Sequence, residues 1–135
     1  MTLLNLETAE RITKAAATNA RANNRNPMGI AVIDLSGNLK FALREDGSNL
    51  AAIDIALGKA RAALTFGCTS KQIADALAGN ALAGPSILAT LGGRIVLLGG
   101  GVLIKDADGA TIGAIGAAGG APDDDETVAH AGASA

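Results

Sequence analysis

Small side chains limit what this chain can fold into. Thirty alanines and 18 glycines occupy 48 of its 135 positions. Leu, Ile and Val together add only 31, and the aromatics are Phe41 and Phe66 alone. A domain of this size buries roughly two thirds of its unfolded surface. With so few bulky groups, its helices and strands must approach one another closely. Alanine-rich faces also suit packing between copies of one chain.

The length fits one domain, residues 1–135. Thirteen acids against 11 bases give a net charge of −2, which argues against a duplex-binding footprint. The scarcity of aromatics disfavours base stacking on single strands or RNA. Nucleic acid is therefore not an expected partner. No run approaches about 18 apolar residues, and the N-terminus does not read as a signal peptide, so no membrane partner is expected. The single cysteine, Cys68, excludes an internal disulfide and fits a reducing cytoplasm. Charge is uneven: residues 1–67 hold 8 bases and 6 acids, residues 68–135 hold 3 bases and 7 acids.

Residues 5–23 are expected to form a helix, with Asn5 as cap and Leu6, Ala9, Ile12, Ala16 and Ala20 recurring at three and four. Residues 28–35 read as a strand, apolar on both faces. Ser36-Gly37-Asn38 reads as a turn, and 39–45 alternate as the second strand of a hairpin. A helix follows over 50–66, striped by Ile53, Leu57, Ala60 and Leu64, with Lys59 and Arg61 facing elsewhere and Gly67 as C-cap. Thr69 to Gln72 match a capping box opening a third helix to about Leu77. Residues 79–93 are expected to be irregular, with one helical turn near Pro85 to Ala89. Arg94–Leu98, Val102–Lys105 and 110–117 are expected as strands, the last two joined by a turn at 106–109. Pro122 and the acids behind it open a final helix. The order α-β-β-α-α-β-β-β-α implies an α+β domain, an antiparallel sheet with helices against it.

Several groups invite chemistry, each with a plainer reading beside it. Gly99-Gly100-Gly101 could present backbone N–H groups to an anion, but lacks the following Lys-Ser/Thr of a P-loop; a bulge or tight crossing explains it better. Gly113, Gly116 and Gly119 suit close packing. Asp123 to Glu126 could bind a divalent metal, but four adjacent carboxylates cannot all point one way on a helix, and they read as a solvated helix start. Glu126 and His130 share a helix face at i, i+4, so they could hold iron or move a proton, or form a surface pair. Cys68 reads as a small core residue with no histidine near it in sequence. Arg44 could clamp a carboxylate bidentately.

The segments Gly29 to Asp34, Gly37-Asn38-Leu39, Arg44 to Gly47, Ile53 to Ala56, Lys59-Ala60-Arg61, Gly93 to Ile104, Gly113 to Gly116 and Asp125 to Gly132 resemble, in order and spacing, the GlcG/HbpS-like family. This is also called the haem-degrading domain family and includes the C-terminal domain of PduO-type proteins. The resemblance spans about residues 3–133. It implies a profilin-like antiparallel sheet flanked by helices, self-assembly into homodimers or larger rings such as octamers, and binding of haem or a related tetrapyrrole. Glu45 and Leu103 stand where the family has Met and Pro. Some members carry a haem-ligating His on the first helix; residues 5–23 have none, leaving His130 as the metal ligand.

Three functions follow. A tetrapyrrole could sit at a subunit interface, its carboxylates near Arg44, Lys59, Arg61 or Arg94. A cofactor-independent enzyme could act on a small organic acid, with Asp54 or Glu126 as general base in an apolar pocket. An accessory oligomer would need no ligand.

Overall fold

A computed structural model describes residues 3–135. Helix α1 (Leu6–Ala22) begins as expected: the Asn5 side chain accepts a hydrogen bond from the Thr8 amide at 2.8 Å. Strands β1 (Gly29–Asp34) and β2 (Leu39–Arg44) form the hairpin, with an irregularity between Val32 and Ile33. The Asp34 carboxylate organises its turn by accepting from the Ser36 and Asn38 amides. Helix α2 (Ala52–Phe66) ends at Gly67, which takes the left-handed conformation at φ 70°. Helix α3 (Ser70–Leu77) carries the full capping box of Thr69 and Gln72. Strands β3 (Gly101–Lys105) and β4 (Thr111–Ala118) form the second hairpin, and helix α5 (Pro122–Ala133) follows with Pro in its first turn.

The sheet is antiparallel throughout, in the order β2-β1-β4-β3. Helices flank it on both sides, as the α+β reading requires. Its two faces differ in a way that follows from strand alternation. Ile30, Val32, Val102, Ile104 and Ile115 pack with Ile12, Ala16, Val128 and Ala129 from α1 and α5. On the other face, Ala31, Ala114 and Ala118 meet Ala56, Ala60 and Ala63 of α2. Here the helix nearly touches the sheet. A Cβ on Gly116 would collide with the Ala56 carbonyl, and one on Gly29 would lie 2.6 Å from the Ala52 carbonyl carbon. Gly116 and Gly29 are therefore contact residues of this face, while Gly113 makes room for the Ile33 carbonyl and for Leu4.

Two expectations are corrected between residues 79 and 98. A second short helix, α4 (Ala83–Thr90), replaces the irregular stretch. Pro85 falls in its first turn, where the missing N–H costs no helical bond. Arg94–Leu98 is not a strand. The β-branched and leucine side chains suggested one, but no neighbouring strand pairs with the segment. It runs as an extended strap under α2 instead, where the Val96 amide donates to the Gly58 carbonyl at 3.0 Å and Val96 fills the space a Gly58 Cβ would take. Among the described residues no helix is long and apolar enough to cross a membrane.

Candidate functional site

The acids at the start of α5 do not share one environment. Asp123 is exposed, and Asp124 pairs with Arg25 at 2.8 Å. Asp125 is buried, which corrects the reading of a wholly solvated helix start. Its Oδ2 lies 2.8 Å from Lys59 Nζ, and the two side chains are only 2% and 3% exposed. Lys59 is likewise not on an outer face of α2: it follows Ala56 by three residues and precedes Ala63 by four, inside the buried stripe. Lys59 Nζ also donates to the Ala117 carbonyl at 3.1 Å, and the Gly120 amide donates to Asp125 Oδ1 at 2.8 Å. The pair thus joins α2 to α5 past the end of β4. Such a pair, desolvated on both sides, holds only because each charge has further hydrogen-bond partners.

The three glycines before and within β3 serve this region. Gly101 rests on the Lys59 backbone carbonyl, where a Cβ has no room. Its amide donates to Ser70 Oγ at 2.7 Å, and that hydroxyl donates to the Leu98 carbonyl at 2.6 Å. The Gly101 N–H is therefore committed inside the protein, which supports the tight-crossing reading over an anion cradle.

A cavity of about 490 Å³ opens beside β3. His130, Cys68, Gln72, Val102, Leu103 and Lys105 line it. His130 lies 62 positions beyond Cys68, so sequence could not show that they meet; the pairing of β3 with β4 and the return of α5 bring them together. His130 is exposed and Cys68 is a half-buried free thiol. Glu126 and His130 make no ion pair among the described residues. Glu126 is half-buried and its Oε1 has no hydrogen-bond partner. Across from it on α3, the Asp75 hydrogen bond and charge, with Asp123 and Glu126 adding to them, raise the pKa of Lys71 above its ordinary value.

The other named residues lie apart. Arg61 and Arg94 line one cavity of about 360 Å³. Arg44 lines a second, of about 530 Å³, with Arg21, Arg25, Glu45 and Asp46. In that one Glu45 is an organising residue that sequence reasoning passed over: its Oε1 accepts from the Met28 amide and its Oε2 from Arg21 Nε, both at 3.0 Å. Asp54 is exposed, and neither it nor Lys59 lines these cavities.

The sequence matches the family described as "Haem degrading protein HbpS-like" over residues 4–134. The chain belongs to the HbpS-like family. The fold agrees with three solved structures. HbpS is 32% identical, with a TM-score of 0.85 over 99% of this chain and 90% of that one. Protein ORFY of Klebsiella pneumoniae is 26% identical, with a TM-score of 0.87 over 99% and 91%. PduOC, solved as a haem complex, is 25% identical, with a TM-score of 0.85 over 98% and 94%. No curated protein sequence matches significantly.

Proposed function

We propose that this HbpS-like protein binds haem or a related tetrapyrrole. The observation that carries the reading is its likeness, over 98% of the chain, to a relative solved with haem. The residues beside β3 fit such a group. Haem asks for an axial donor, apolar walls and a cation near its propionates. The cavity of about 490 Å³ offers the His130 imidazole, the Cys68 thiol, walls of Val102 and Leu103, and Lys105. Among the described residues no group of three or more His, Cys, Asp or Glu side chains is placed to hold a bare metal ion. A metal at His130 would therefore take its remaining ligands from elsewhere, as an iron already chelated by a macrocycle does. When bound, haem supplies a redox-active iron. His130 would hold that iron through a ring nitrogen, and Val102 and Leu103 would exclude water from the bound group. The cavity is open, so a flat macrocycle in it keeps one face in solvent unless a second copy covers it. On this reading the ligand lies between subunits of a homodimer or larger ring.

Haemin titration tests the reading. A Soret shift that saturates at a fixed ratio, weakened tenfold or more by His130→Ala, is the expected result. Unchanged spectra on adding haemin would overturn haem binding, and an unchanged affinity in His130→Ala would move the ligand away from this cavity. Light scattering with and without haemin reads the self-assembly directly.

One observation favours a second reading, an enzyme acting on a small organic acid. Glu126 keeps a buried carboxylate oxygen without a partner, as a general base awaiting a substrate proton does. Asp54, exposed at the start of α2, has no such setting.

A further inference from the structure

Two of the cavities are rich in arginine, and they are not equivalent. In the one beside β2, carboxylates stand among the arginines: Arg21 is held by Glu45 at 3.0 Å and Arg25 by Asp124 at 2.8 Å, and Asp46 shares the wall with Arg44. In the one between the β1–β2 turn and the end of α4, no carboxylate lines the wall at all. Arg61 and Arg94 meet there, and neither forms an ion pair among the described residues. Arg61 is anchored only through Nε to the Gly37 carbonyl, at 3.4 Å, which leaves its two terminal nitrogens for another acceptor. Arg94 is delivered by local backbone geometry. Gly92 and Gly93 both take positive φ, 68° and 71°, and turn the chain from α4 back across α2.

Four of the other seven lining residues are aliphatic, beside Ser36, Gly37 and Thr65. Leu35, Leu64, Leu91 and Ile95 line the cavity with the two arginines. Leu35 is 43% exposed, an apolar side chain left in water at the cavity mouth. Two like charges facing one space repel, and an anion between them removes that repulsion. Guanidinium forks match a planar carboxylate bidentately. Aliphatic walls favour a ligand whose other end is a hydrocarbon chain. We propose that the cavity of about 360 Å³ between Arg61 and Arg94 is a binding site for an aliphatic carboxylate, separate from the tetrapyrrole cavity beside β3. It shares no lining residue with that cavity, so neither proposal depends on the other.

The test is an amide NMR titration of the intact protein at constant physiological ionic strength, using hexanoate, acetate and inorganic phosphate as probes. Hexanoate should shift the amides of residues 35–37 and 91–95 and saturate. Its four extra methylenes should make it bind at least about tenfold tighter than acetate, since each fully buried methylene is worth roughly fourfold. Arg94→Gln, at an exposed position that the fold does not need, should weaken hexanoate at least about tenfold with the remaining amide spectrum unchanged. Arg44→Gln, in the cavity beside β2, should change it less than about twofold, and His130→Ala should leave it unaltered. Three results would overturn the proposal: no saturable shift with hexanoate, full affinity retained in Arg94→Gln, or phosphate binding as well as hexanoate with equal losses in Arg44→Gln and Arg94→Gln. The last would mean general surface charge. A fourth overturning result is loss of hexanoate binding in His130→Ala, which would show one merged site. A failed haemin titration with intact hexanoate binding would remove the tetrapyrrole reading and leave this one standing.

Discussion

The two faces of the sheet reach the same burial by opposite means. Toward α1 and α5, Ile30, Val32, Ile104 and Ile115 fill the space with branched side chains. Toward α2, Ala31, Ala114, Gly116 and Ala118 leave almost none, with Ile33 the one fully buried branched side chain, and the helix backbone descends to the strands. The first face gains stability from apolar area, the second from backbone proximity and many short dispersion contacts. A thin interface has a consequence that a thick one lacks. A long side chain caught in it cannot fold over, and must run out along the sheet to its end. Lys59 does this, passing Gly100 to reach Asp125 on the opposite layer. The buried ion pair is therefore a product of the close approach, and it clamps the two unlike faces together.

The largest effect is expected where the clamp is cut. Asp125→Ala leaves the Lys59 ammonium buried with only the Ala117 carbonyl at hand, and should cost about 4 kcal/mol in urea unfolding. Replacing both partners at once, Lys59→Met with Asp125→Leu, should recover most of that loss, because no charge is then stranded. If the double variant is as unstable as Asp125→Ala, the pair holds geometry that apolar packing cannot replace, and the account of the clamp as charge compensation fails.

Neighbouring residues on β4 separate the two faces more finely. Ile115→Ala should open a cavity against α1 and α5 and cost about 3 kcal/mol. Gly116→Ala, one residue on and pointing the other way, should cost about 2 kcal/mol through overpacking against α2. The two defects differ in kind. Ala56→Gly should not rescue Gly116→Ala, because the collision is with the Ala56 carbonyl and not its methyl. Rescue in a double-mutant cycle would mean that side chains, not backbones, set the helix-to-sheet distance.

Much of this architecture was legible before the coordinates, where local chemistry decides it. Asn5, Gly67, the Thr69–Gln72 box and Pro122 each mark a helix end through a single hydrogen bond or dihedral, and the Ser36–Asn38 and Asp106–Gly109 turns set both hairpins. What sequence misjudged depends on partners far along the chain. Arg94–Leu98 has strand chemistry, but its Val96 amide is taken by the Gly58 carbonyl of α2, far back in the chain, and not by a strand. Asp125 looks like its acidic neighbours until α5 is laid beside Lys59. The position of Lys59 within the Ala56–Ala63 stripe was the one available hint, since a lysine on a buried stripe needs a counter-charge somewhere. The Cys68–His130 cavity and the Arg61–Arg94 cavity each join residues tens of positions apart, and no spacing rule reaches that far.

The smallest effect is expected outside both faces, and it tests whether a glycine's role follows from its contacts. Gly79 lies just past α3, with nothing within 4 Å of where a Cβ would be and no positive φ. Alanine fits its backbone without strain, so Gly79→Ala acts mainly by restricting the unfolded chain. It should stabilise by about 0.5 kcal/mol, a rise of roughly 2 °C in Tm. Gly116→Ala and Gly79→Ala are the same chemical change with opposite expected signs, one set by a carbonyl in contact and the other by open solvent. A fall in Tm for Gly79→Ala, read alongside light scattering, would mean that the surface at residue 79 is covered in solution, and that Gly79 is itself a contact glycine.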